Sequence, residues 1–116
     1  MNASTISPLS NRADWSGAIY VKENGEAVDT SSAIDLIVEL EDPETGQVVL
    51  TASIGSGVVV QDPSVGTYTF TFHAAQTAGL KAKSYWFAAI IKTASQSLQL
   101  FKLRVPAYDG IVGRHR

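Results

Sequence analysis

The chain of 116 residues has no cysteine, one methionine and only two histidines, His73 and His115. Without cysteine there is no disulfide and no thiolate metal ligand, and redox compartment leaves no trace in the composition. Two histidines far apart in sequence do not supply the three converging ligands of an ordinary transition-metal site. Charge is scarce as well: 17% of residues are charged and the formal net charge is −2. That balance gives no electrostatic footprint for nucleic acid or anionic lipid. No apolar run approaches the roughly 20 residues that span a bilayer. The opening "MNASTISPLSNRADW" lacks the basic start and continuous apolar core of a secretion signal, so a soluble protein that keeps its initiator region is expected. No metal, cofactor, nucleic-acid partner or membrane is expected.

What is present is a core. Hydrophobic residues make up 45% of the chain, enough for one globular domain. Residues 1–13, rich in Ser, Asn and Thr, are expected to form an extended arm that orders only on a partner. From Trp15 the pattern has period two. "WSGAIYVK" puts Trp15, Gly17, Ile19 and Val21 on one face and Ala18, Tyr20 and Lys22 on the other. Asn24-Gly25 follows as a two-residue turn signal, since both residues tolerate positive φ. "IDLIVELE" aligns Ile34, Leu36, Val38 and Leu40, with Asp35, Glu39 and Glu41 opposite and Ile37 as the exception. "DPETG" and "DPSVG" are Pro/Gly turns around the strands "QVVLTASI" and "VVVQ". "TYTFTFH" alternates most cleanly, with Tyr68, Phe70 and Phe72 inward and Thr67, Thr69, Thr71 and His73 outward.

"AAQTAGL" is too short for an independent helix and reads as one helical turn, packed by Leu80 and stopped near Gly79. In "LQLFKLRV" the apolar phase slips from Leu98 and Leu100 to Phe101, Leu103 and Val105, as a β-bulge would make it do. Pro106 is expected to end that strand, leaving residues 107–116 as a tail. About seven short strands with turns at roughly ten-residue intervals indicate an all-β fold, an Ig-like antiparallel β-sandwich over residues 14–106 with one short helical turn. A barrel of similar strand number is the alternative.

"KSYWFAAIIK" is apolar on both faces: Tyr85, Phe87, Ala89 and Ile91 on one, Trp86, Ala88 and Ile90 on the other. A sandwich strand meets the core on one face only. The second face needs a cover, either the Ala74–Leu80 crossing with a terminal arm, or another chain meeting Trp86 and Ile90.

Candidate chemistry is thin. His73 closes a strand on its wet face and His115 lies in the tail, so both read as surface histidines. Asp35, Glu39 and Glu41 share a strand face, whereas calcium sites draw six or more oxygens from loops. Asp29, Asp42, Asp62 and Asp109 adjoin turn residues, where Asp bonds to local backbone. No G-x-S-x-G elbow occurs, and "GSG" at 55–57 lacks the lysine and helix of a phosphate loop. Trp15, Tyr20, Tyr85 and Trp86 suit a sugar-stacking platform by type, but their phases favour core or interface packing. No catalytic residue is expected, and the protein is not expected to be an enzyme.

The order of these motifs resembles small β-sandwich structural proteins of tailed bacteriophages, among them modules similar to the N-terminal part of baseplate upper proteins. The resemblance runs from Asp14-Trp15 through "NGEAVDTSSA" (24–33) and "AIDLIVELEDPETG" (33–46) to "GTYTFTFHAAQTAGLKAKSYWFAAI" (66–90) and the closing "LQLFKLRV". His73 stands where that pattern commonly has proline, and Ala82-Lys83 where it has glycine. The resemblance implies a virion component of the head–tail junction, tail or baseplate, made in the bacterial host cytoplasm. Its partners would be other virion structural proteins and copies of itself. Trp86, Ile90, Tyr20 and Tyr108 are the expected interface residues. A carbohydrate-binding or adhesin-like module, with a glycan partner, is the alternative.

Overall fold

The computed structural model describes residues 3–6 and 8–108. Its strands, in chain order, are β1 (Ala3–Thr5), β2 (Leu9–Ser10), β3 (Trp15–Tyr20), β4 (Lys22–Glu23), β5 (Glu26–Ala27), β6 (Asp35–Glu41), β7 (Val48–Ile54), β8 (Gly57–Asp62), β9 (Thr67–Phe72), β10 (Ser84–Lys92) and β11 (Ser97–Tyr108). One helical turn, α1 (Ala74–Thr77), follows β9. Strands of six residues or more number seven, as the turn spacing predicts. β4 and β5 form a small separate hairpin around Asn24 (φ 53°) and Gly25 (φ 82°).

The other nine strands hydrogen-bond in the order β1-β3-β9-β8-β7-β6-β10-β11-β2. The ribbon folds over where β7 meets β8 in a two-residue parallel contact, Ser53 with Gly57 and Ile54 with Val58. Two layers result, β1-β3-β9-β8 and β7-β6-β10-β11-β2, and the molecule is a β-sandwich, Ig-like in this two-layer plan. Rings from unpaired strands meet between the layers. Trp15 of β3 lies 5.0 Å from Phe87 of β10, and Phe70 of β9 lies 5.1 Å from Phe87, centroid to centroid. Edge and tilted ring contacts of this kind add to the area buried. Tyr68, Phe70, Phe72, Leu36, Val38 and Leu40 are all buried, in the alternation their sequences predict.

Polar groups that enter this core find partners. The Thr30 hydroxyl lies 2.6 Å from the Tyr68 hydroxyl and donates to the Pro63 carbonyl at 2.8 Å, tying the β5–β6 connection to the core. Tyr85 donates from its hydroxyl to the Lys81 carbonyl. Gly66 has φ 66°, and a Cβ there would sit 2.8 Å from the Val28 carbonyl oxygen. A side chain at that turn is therefore excluded twice, by conformation and by space.

The slip in "LQLFKLRV" is a bulge. Ala89 pairs with Phe101 and Ile90 with Gln99, so Leu100 is the extra residue, and Leu100 and Phe101 are both buried. Four expectations meet a different structure. The arm expected over residues 1–13 lies along the sandwich: β1 pairs with β3, and β2 pairs in parallel with the end of β11. Leu9 is buried in the core, and the Asn11 side-chain amide donates to the Leu80 carbonyl at 2.9 Å. Pro106 does not end β11, which runs on to Tyr108. The Ala107 N–H donates to Lys83 on the β10 side, so by strand alternation the Pro106 nitrogen faces the other edge, ahead of where β2 begins, and no ladder bond is lost. Ala107 is accordingly buried in the core; the rest of the expected tail, Asp109 and His115 included, lies outside the described residues. Ile34 and Leu98 have inward phase but are 66% and 49% exposed. Both sit at one open end of the sandwich, Ile34 just before β6 begins and Leu98 beside a cleft that Val21 and Val28 also line.

Candidate functional site

The layer β7-β6-β10-β11-β2 has an outer face built by strand alternation. Along β10 this face carries Trp86, Ala88 and Ile90, all half-buried. Register fixes what flanks each of them. Trp86 lies between Glu41 of β6 and Arg104 of β11, Ala88 between Glu39 and Lys102, and Ile90 between Ile37 and Gln99. An apolar stripe thus runs down the centre, with carboxylates on one side and cations on the other.

Part of the second cover for β10 comes from the chain itself. Arg104 places its guanidinium carbon 4.7 Å from the Trp86 ring centroid, and the Lys102 ammonium is 5.4 Å away. Long basic side chains laid over an indole shield its face while keeping their charge in water. For that ring, part of the cover is thus supplied by the neighbouring strand. Sequence reasoning missed Lys102 and Arg104. The signal was present in "FKLRV", whose cations alternate with core residues beside a two-faced strand.

Of the four expected interface residues, Trp86, Ile90 and Tyr108 share this outer face; Tyr108, 57% exposed, stands two positions past Pro106 on β11. Tyr20, 37% exposed, is on the outer face of the opposite layer, across from Thr67, and does not join them. The same geometry dismantles the aromatic platform. Trp15 and Tyr85 are buried in the core, leaving Trp86 and Tyr20 on opposite faces of the molecule.

Two clefts remain. One, of about 220 Å³, is lined by Thr51, Ser56, Thr71, His73 and Gln76 near the β7–β8 fold. His73 Nδ1 lies here 3.8 Å from Asp14 Oδ2, and both side chains are exposed. Asp14 Oδ1 accepts from the Ala74 N–H at 2.7 Å, and the Gln76 side chain accepts from the His73 N–H at 2.9 Å. These groups hold the start of α1. The other cleft, about 170 Å³, is apolar and lies at the open end, lined by Val21, Val28, Ala33, Ile91, Leu98 and Leu100. Among the described residues no three His, Asp or Glu side chains converge as metal ligands, and no helix is long and apolar enough to cross a membrane. Asp29, Asp42 and Asp62 each accept a backbone N–H two residues on, as turn aspartates do.

A two-layer β-sandwich is a class of scaffold, and comparison with solved structures agrees at the level of that fold. No protein-family model matches the chain, and no curated protein does. Among solved structures it is similar to the endo-beta-1,4-mannanase from Thermotoga petrophila, with a TM-score of 0.56 over 95% of this chain at 8% identity. The chain spans only 20% of that mannanase. It is also similar to CopC from Methylosinus trichosporium OB3b, with a TM-score of 0.50 over 94% of this chain and 95% of CopC at 12% identity. At such identities the likeness is one of fold.

Proposed function

We propose that this chain is a non-enzymatic assembly module, a β-sandwich that docks onto neighbouring subunits of a phage or phage-derived particle through the outer face of β6, β10 and β11. The observation that carries the docking is the stripe Trp86-Ala88-Ile90 on a layer whose other face already fills the core. Aromatic and apolar centres rimmed by charge are typical of protein interfaces. The particle, whether at head–tail junction, tail or baseplate, is supported by the motif order over residues 14–105 alone. The glycan-binding alternative is weakened by the burial of Trp15 and Tyr85.

The test compares melting temperature with particle incorporation for Trp86→Ser and Ile90→Ser in the host that makes the particle. Incorporation falls while melting is nearly retained if the face serves docking. Full incorporation of both variants removes the reading, and a matched loss of both properties assigns the stripe to the domain's own stability.

A further inference from the structure

We infer that the partner of this face is a second copy of the same chain, paired about a two-fold axis that lies in the interface and runs along β10. The inference rests on the assembly reading and names its partner. A two-fold interface brings the same patch together on both sides, so the patch must complement itself. The outer face does so in one orientation. Rotation about an axis along β10 carries β6 of one copy over β11 of the other and keeps each row at its own height. Glu41 then faces Arg104 of the second copy, and Glu39 faces its Lys102, while Trp86, Ala88 and Ile90 meet their own counterparts. An axis across the strands would instead set β6 on β6 and β11 on β11, like charge on like charge.

Three features favour a copy of this chain over an unrelated partner. The charges that flank the stripe are segregated by strand, Glu39 and Glu41 on β6 and Lys102 and Arg104 on β11, in equal numbers at matching heights; beyond Ile90, Lys92 of β10 has Asp35 of β6 beside it. Among the described residues none of these four is in an ion pair, although Lys83 is held by both Asp42 and Glu44 close by. Ala88 sits between the two bulky residues of the stripe and beside Glu39 and Lys102, so opposing side chains have room at the centre. From strand spacing and rise, the four long strands of the layer cover roughly 500 Å² in projection. That is a lower bound on accessible area and is commensurate with the roughly 800 Å² per partner of a standard interface.

The experiment measures mass by sedimentation across concentration and salt for the full chain and three variants: Glu39→Lys with Glu41→Lys, Lys102→Glu with Arg104→Glu, and all four together. The native chain should dimerise, less so as salt rises. Each single-sign reversal should weaken its own dimer by roughly tenfold or more. The two reversed chains should pair when mixed, and the fourfold swap should restore the homodimer. Pairing in the mixture also shows that both variants fold. A native chain that stays monomeric at its highest soluble concentration overturns the inference, as does a dimer that survives both reversals. A monomer that still needs Trp86 to enter particles would sink the self-pairing and leave the assembly reading standing. A charge-dependent dimer whose stripe is dispensable for incorporation would do the opposite.

Discussion

Arg104 lies directly across the β10–β11 pair from Trp86, its guanidinium 4.7 Å from the indole centroid, on the face turned away from the core. That contact covers one of the three apolar side chains on the strand's second face. If it contributes as other exposed cation–π contacts do, a double-mutant cycle of Trp86→Ala and Arg104→Ala should give a coupling of about 0.5–1 kcal/mol in urea unfolding. Arg104→Lys should keep part of it. Strictly additive losses would mean that the arginine lies over the ring without stabilising it.

The inner face of β9 makes a sharper claim. Phe70 and Phe72 are buried within 5–6 Å of other rings, while Thr69 and Thr71 face outward. Phe70→Ala or Phe72→Ala should cost about 3–5 kcal/mol, through lost burial and the cavity left behind. Thr69→Ala and Thr71→Ala should stay within about 0.5 kcal/mol, as surface changes do. Similar small losses at all four positions would contradict the phase of the strand.

Much of this was legible in the residues themselves. Alternation located β3, β6, β9 and β10 and sorted their faces, and the phase slip at Leu100 located the bulge. What alternation does not carry is which segments lie side by side. Leu9 sits in a stretch with no period, and only the parallel pairing of β2 with the end of β11 places it in the core. Ile34 and Leu98 show the reverse case: their inward phase is right, but phase does not say that Ile34 precedes its strand or that Leu98 borders an open cleft. The candidate face was half visible. Trp86, Ile90 and the β6 acids could be read from the sequence, whereas the opposing cations gained meaning only once β11 was known to flank β10.

Lys83 donates to Asp42 at 2.8 Å and to Glu44 at 3.0 Å, fastening the β6–β7 turn to the start of β10. The hydrogen bond to Lys83, and then that from the Glu44 N–H, hold the Asp42 carboxyl below its ordinary range, and Asp42 and Glu44 raise the Lys83 ammonium above its own. For Asp42 the folded value is the lower one, so its contribution is complete above the unfolded value of about 3.9 and is lost as pH falls through the folded value. For Lys83 the folded value is the higher one. Its contribution is complete below about 10.4 and is lost as pH rises through the folded value. The gap in melting temperature between the native chain and Lys83→Met should therefore be flat between those limits and narrow on both sides. A gap that persists unchanged at pH 2 would mean the lysine acts through its aliphatic stem.

The first thirteen residues provide the last test, because the two readings of them predict opposite results. An arm that waits for a neighbouring subunit would leave the domain's melting unchanged when removed. In the structure Leu9 is buried in the core, and Asn11 donates from its backbone to the Tyr108 carbonyl and from its side chain to the Leu80 carbonyl. The Thr77 hydroxyl donates in turn to the Ala13 carbonyl, so the segment also anchors α1. Leu9→Ala should cost about 2–5 kcal/mol, the usual range for a buried leucine. Removing residues 1–13 should cost at least as much, since it also uncovers the β11 edge at Ala107 and takes the Ala13 carbonyl away from Thr77. Chemical unfolding of both variants beside the native chain provides the measurement. A truncated chain that unfolds at the native midpoint, with its slope unchanged, would show that the sandwich closes without β1 and β2. The segment would then belong to the particle and not to the domain.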